Sequence, residues 1–194
     1  MRSSTVSIGP QPKAERIKEM GWIRTHYLDT SALVKLFVDE KGSESVRCYF
    51  NKQTVFYTTS LCFAETLGVL KTKYRHKHIT QQKYLHACST LMAYVAGERE
   101  KIAIDDFEIA NRETYLEVEE LAKKYKLDIS DAFQIVTLKR GYLSALRGKS
   151  KPMLITGDSK LADAIHQEKF EVWDITKEPE PYKERPVYPH LNAP

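Results

Sequence analysis

The spacing of apolar residues predicts short strands alternating with longer helices. Strand-like runs fall at 24–29, 55–59, 102–104, 153–156 and 170–173. Helical periodicity fills the intervals at about 30–39, 44–52, 60–77, 80–96, 106–125, 130–146 and 159–168. In the stretch from Ser60, Phe63, Leu67, Leu70 and Tyr74 recur at helical spacing and form one apolar face. Strands separated by helices need right-handed crossovers, which build a mainly parallel sheet with helices on both faces. The expected fold is α/β: a three-layer αβα sandwich with a central, mainly parallel sheet of four to five strands. The expected domain runs over 22–176. A Ser/Pro/charge-rich extension at 1–21, expected to be poorly ordered, precedes it. A Pro-rich tail at 177–194 follows, unable to continue a helix or a ladder.

Sheets of this kind place ligands at the carboxyl ends of their strands, so acids near those ends carry the candidate chemistry. Asp29 ends the first strand in "THYLDTSALVKL". Alone it reads as a helix cap, since Asp accepts from the first free amides of a helix. Glu65, in "SLCFAETLGVLKTKY", lies at the margin of the apolar stripe, where burying a carboxylate unpaired is costly. In "YKLDISDAFQIVTLK", Asp128 suits a cap and Asp131 the first turn, favoured by the helix dipole. Asp128 is the alternative inward acid. Asp158 follows a strand in "MLITGDSKLADAI", where Gly157 allows a tight turn, and it too suits a cap. Asp163 and Asp174 read as solvated or structural.

Each acid has its plain explanation, but the set strains it. Acids after the first and fourth clear strands, with two more in early helix turns, would converge on one sheet edge. Several carboxylates in one cleft raise each other's pKa unless a cation neutralises them. All-oxygen donors suit Mg²⁺ or Mn²⁺ rather than zinc. A cation held so can clamp a phosphodiester and activate water.

Composition narrows the setting. The 194 residues are 42% hydrophobic and 29% charged, with 30 Lys+Arg against 26 Asp+Glu, a net charge of +4. That mild excess does not by itself argue for nucleic acid. Three scattered cysteines, Cys48, Cys62 and Cys88, suggest neither a disulfide framework nor a zinc site, so a cytoplasmic location is expected. No run approaches the roughly 18 apolar residues of a membrane span, and the N-terminal stretch lacks a secretory h-region.

The segments "YLDTSALVKL", "SLCFAETLGVL", "LDISDAFQIVTL" and "LITGDSKL" resemble, in order and spacing, the four acidic motifs of PIN domains. The resemblance spans about 155 residues. It implies a metal-dependent ribonuclease with a central parallel sheet, in which Asp29, Glu65, Asp131 and Asp158 bind Mg²⁺ or Mn²⁺. Thr156 matches the hydroxyl residue that often precedes the fourth acid by two, and Ser31 the small hydroxyl residue two after the first. Short single-domain members are often VapC-type toxins, which implies a cognate antitoxin protein and a homodimer.

Two basic clusters suit an RNA substrate. "KTKYRHKH" supplies Lys71, Lys73, Arg75 and Lys77; "LKRGYLSALRGKSK" supplies Lys139, Arg140, Arg147, Lys149 and Lys151. Either cluster alone is equally a solvated helix end. Tyr74 and Tyr142 are candidates to stack on bases. The leading expectation is a divalent-metal-dependent endoribonuclease; the role of toxin in a toxin–antitoxin pair is a separate expectation, drawn from size and the resemblance. Two alternatives stay open: a non-catalytic PIN-like RNA- or protein-binding module, and a phosphohydrolase forming an aspartyl-phosphate on Asp29.

Overall fold

The computed structural model describes residues 23–96, 101–106, 111–141, 144 and 150–181. The extension at 1–21, the tail from 182 onward, Tyr142, Arg147 and Lys149 lie outside the described residues. Five strands form one all-parallel sheet: β1 (Ile23–Leu28), β2 (Phe56–Thr58), β3 (Ile102–Ile104), β4 (Ser150–Thr156) and β5 (Glu171–Asp174), in the order β3-β2-β1-β4-β5. Seven helices accompany them among the described residues: α1 (Thr30–Phe37), α2 (Ser43–Lys52), α3 (Ser60–Arg75), α4 (Gln81–Val95), α5 (Arg112–Tyr125), α6 (Ile129–Arg140) and α7 (Ser159–Gln167).

Side chains alternate across the sheet and build two cores, which makes the architecture three-layered. Tyr27, Leu154 and Val172 face a cluster with Val118, Ile135, Leu138, Leu161 and Ile165 from α5, α6 and α7. Leu28, Met153, Ile155 and Trp173 face the other way, onto Leu33, Val46, Tyr49, Phe50 and Leu91 from α1, α2 and α4. Residues buried on both flanks explain why the central strands read as continuous apolar runs.

Three departures from the sequence reading have local causes. β4 begins three residues earlier than its apolar run, because Pro152 is admitted: β5 joins only from Met153, so one flank is open where the missing N–H falls. α6 stops at Arg140, where Gly141 turns to extended backbone so close to Thr137 O and Asp105 that a β-carbon would collide with both. The most buried positions of α3 are Cys62, Thr66 and Leu70, not the whole 63/67/70/74 stripe. Thr66 is tolerated there because its hydroxyl donates to Cys62 O at 2.7 Å.

The strand order reverses between β1 and β4: the chain winds outward through β2 and β3, then returns to the other side of β1. Ligand sites in open parallel sheets lie at such a reversal, outside the carboxyl ends of the strands. Leu28, the last residue of β1, pairs with Ile155, one residue before the end of β4. Asp29 and Thr156 are the next residues out.

Candidate active site

Asp29 continues the β1–β4 ladder by donating its N–H to Ile155 O at 3.2 Å. It then caps α1: Oδ1 accepts from Ala32 N at 2.7 Å and from Ser31 Oγ at 2.9 Å. Oδ2 accepts from Thr156 Oγ1 at 2.5 Å. Burial, at 4% exposure, pushes the carboxyl up to about 6 despite these hydrogen bonds, and the nearby Asp158 charge adds to the rise.

The loop after β4 is tied to α1 through hydroxyls. Thr156 is fully buried, and its Oγ1 also accepts from Asp158 N at 2.9 Å. Gly157 N donates to Ser31 Oγ at 2.6 Å. Asp158 is exposed and caps α7, accepting from Lys160 N at 2.7 Å and Leu161 N at 3.1 Å. Gly157 does not adopt left-handed backbone, so the tight turn read from sequence is not what requires glycine. Close approach is: a β-carbon there would sit 2.8 Å from Lys35 Cε and 3.1 Å from Ser31 Oγ.

Glu65 joins this corner through α3. It is half-buried, and its Oε2 accepts from Thr30 Oγ1 at 2.6 Å, next to Asp29 in the chain. One turn earlier, Cys62 is buried, and burial pushes its thiol up to about 12, with the Asp29 and Glu65 charges acting the same way. It is a thiol at neutral pH and not a thiolate ligand.

At the start of α6, Asp128 is the cap, accepting from Asp131 N at 2.9 Å. Asp131 makes no cap of its own. Its carboxyl is pushed up to about 7, first by burial and then by the charges of Asp128, Asp158, Asp29 and Glu65. Asp29, Glu65 and Asp158 therefore all lie within electrostatic reach of Asp131. Asp174, by contrast, is buried and held by Ser159 and Thr176, a structural role.

Among the described residues, no three His, Cys, Asp or Glu side chains form a group that could hold a metal ion. Three of the four acids are engaged within the protein. Asp29 spends both oxygens on Ser31, Ala32 and Thr156, Asp158 caps α7, and Glu65 leans on Thr30. The donor chemistry nevertheless fits a hard divalent cation: every candidate ligand is a carboxylate, and the charges of the other three raise the Asp131 carboxyl.

The basic residues are placed unequally. Lys71, Arg75 and Lys77 are exposed toward the end of α3, while Lys73 pairs with Glu40. Lys139 pairs with Glu117 at 2.8 Å and Glu168 at 3.5 Å, and Arg140 with Glu117 at 2.6 Å. Both sit at the opposite end of α6 from Asp131, about 12 Å along the axis by helical rise. Tyr74 stacks on Tyr84 at 5.3 Å. Thr30 and Lys35 were not singled out from sequence. Thr30 sits beside the first acid and Lys35 one turn after Ser31, but their partners are distant in the chain. Among the described residues, no helix is long and apolar enough to cross a membrane.

The family model of the PIN domain matches residues 26–167, so the chain belongs to the PIN domain family. PIN domains are generally nucleases, and the fold is of that nuclease type. The chain is similar to the protein in the crystal structure of PAE2754 from Pyrobaculum aerophilum, at 16% identity and a TM-score of 0.48, over 79% of this chain and 88% of that one. No curated protein matches it.

Proposed function

We propose that this chain is a divalent-metal-dependent endoribonuclease that hydrolyses RNA phosphodiester bonds. The observation that carries the reading is the meeting of Asp29 with the Thr156–Asp158 loop where the strand order reverses, in a chain of the PIN family. In this proposal Asp29, Glu65, Asp131 and Asp158 hold Mg²⁺ or Mn²⁺. The bound cation would supply Lewis-acid stabilisation of developing phosphoryl charge and a more acidic water.

The chain's own residues do the positioning. Thr156 and Ser31 orient Asp29 and hold the 156–158 loop against α1. Thr30 orients Glu65. The exposed cations Lys71, Arg75 and Lys77 offer a backbone track for single-stranded RNA.

The test is cleavage of a mixed single-stranded RNA pool with Mn²⁺, with chelator, and by Asp29→Asn. Cleavage is expected only from wild type with metal. Cleavage that survives both chelation and the substitution overturns the proposal. A toxin role, with a cognate antitoxin and a homodimer, is proposed with it. Growth arrest on solitary expression, relieved by co-expressing the adjacent gene, is the expected result; harmless solitary expression contradicts it.

One observation favours a second reading, a PIN-like RNA- or protein-binding module: the acids rest on protein partners instead of converging. Metal-independent RNA binding without cleavage would favour it. A phosphohydrolase using Asp29 as nucleophile is not proposed, because the residues that follow it, "TSALV", lack the second acid that would serve as general acid.

A further inference from the structure

We propose that Lys35, Glu40 and Lys73 form an ionic brace that sets the divalent-ion affinity of the acidic cleft without touching the ion. The inference rests on the metal-dependent reading above and deepens it. Lys35 lies one turn after Ser31 in α1 and is only 7% exposed. Helical side chains lean toward the N-terminus of their helix, so its stem reaches back over the loop joining Thr156 to Asp158. The contact is close: the Lys35 Cε and Nζ atoms would lie 2.8 Å and 3.3 Å from a β-carbon at 157, so any side chain there would displace the end of Lys35.

The ammonium group lies 3.1 Å from Glu40 Oε2, and the other oxygen of Glu40 accepts from Lys73. Lys73 stands in α3, about two turns beyond Glu65. One bridge thus connects the helix capped by Asp29, the loop leading to Asp158 and the helix carrying Glu65. Burial alone would raise the Glu40 carboxyl, yet Lys73 and Lys35 together bring it below the usual range. Breaking the Lys35–Glu40 arm leaves a nearly buried ammonium short of this partner, which is unfavourable, while Glu40 and Lys73 are part-exposed, at 29% and 22%.

Carboxylates that repel one another drift apart unless the backbone beneath them is fixed. Mg²⁺ and Mn²⁺ sites depend on fixed donor spacing, and a site held more loosely than about 0.5 Å loses function. Supporting residues outside a coordination shell commonly change metal affinity by about 10–100-fold when altered. Glu40 pairs with the Lys35 charge and masks it from the cleft, so loss of positioning outweighs any relief of cation–cation repulsion.

The test is Mn²⁺ binding to the full chain, followed by the paramagnetic resonance signal of free Mn²⁺. Wild type is compared with Lys35→Met, Glu40→Gln and, as a remote surface control, Lys123→Met. Lys35→Met keeps the stem over Gly157 and removes the ammonium; Glu40→Gln keeps the shape and removes the charge. Both are expected to weaken Mn²⁺ binding about tenfold, with Lys123→Met unchanged. If Lys35→Met does not fold, Glu40→Gln decides. Unchanged affinity in folded variants overturns the brace, and tighter binding overturns it in favour of Lys35 as a mere competing cation. Wild type that binds no Mn²⁺ overturns the metal-dependent reading and the brace with it.

Discussion

The Thr156 hydroxyl donates a 2.5 Å hydrogen bond to Asp29 Oδ2, although the two residues stand 127 positions apart in the chain. The contact follows from the register of β1 and β4, which pairs Leu28 with Ile155 and brings the next residue of each strand side by side. The same hydroxyl accepts from Asp158 N, so one buried oxygen connects the first acid to the backbone of the fourth.

Thr156→Val should therefore cost more than a buried methyl-for-hydroxyl exchange. It leaves Asp29 Oδ2 and Asp158 N short of a partner, at about 1–3 kcal/mol in denaturant unfolding. Thr156→Ser should recover most of that loss. A valine variant as stable as wild type would show that Asp29 finds another donor.

Stability and activity should part company at Asp131. Burial and four neighbouring acids hold its carboxyl up to about 7, so at pH 8 the metal-free fold carries a charge it disfavours. Asp131→Asn removes that charge at nearly constant shape. It should stabilise the metal-free protein by roughly 1 kcal/mol at pH 8, solvent screening allowed for, while Mn²⁺-dependent RNA cleavage falls to background. Destabilisation at pH 8 would contradict the electrostatic assignment.

The pH dependence of metal-free stability has a definite sign. Asp29 and Asp131 have folded-state values of about 6 and 7, against 3.8 for the ordinary carboxyl. The folded protein thus keeps protons that the unfolded chain releases. This contribution is fully present below about 4 and is lost as pH rises through 6 to 7. With chelator present, the Asp29→Asn/Asp131→Asn double variant should shed this loss of stability between pH 5 and pH 8. Wild type should show it as a fall in melting temperature of about 2–4 °C per kcal/mol. Equal pH profiles for the two proteins would refute it.

Removing cations should separate RNA contact from ion pairing. Lys71→Ala with Arg75→Ala deletes two exposed charges and should lower the log–log salt slope of single-stranded RNA binding by about 1.4. Lys139→Ala with Arg140→Ala breaks pairs to Glu117 and Glu168. That variant should leave the slope in place and lower unfolding stability by under about 1 kcal/mol per pair.

Much of the fold was legible because its signals are local. The β1 run, the alternation of strands and helices and the Asp caps of α1, α6 and α7 each lie within a few residues. The order and spacing of four acids also pointed to one family. Strand register was not legible, so the Asp29–Thr156 contact could not be read from either segment. Nor was the Lys35–Glu40–Lys73 bridge, whose members come from two helices and the loop after α1 and look like ordinary solvated charges in the chain. The crowding at Gly157 was not legible either: it comes from the side chains of Ser31 and Lys35 on α1, and not from left-handed backbone at the glycine itself.

The central claim is that Asp29, Glu65, Asp131 and Asp158 serve a single cation. Substoichiometric Mn²⁺ added to the ¹⁵N-labelled chain tests it most directly, because a paramagnetic ion broadens only the amide signals near it. The amides of Thr30, Glu65, Asp131 and Asp158 should vanish together at the same low Mn²⁺ ratio, and Asp29→Asn should restore all four. Broadening confined to one of them, or spread over acids elsewhere such as Asp39 and Glu113, would contradict the claim.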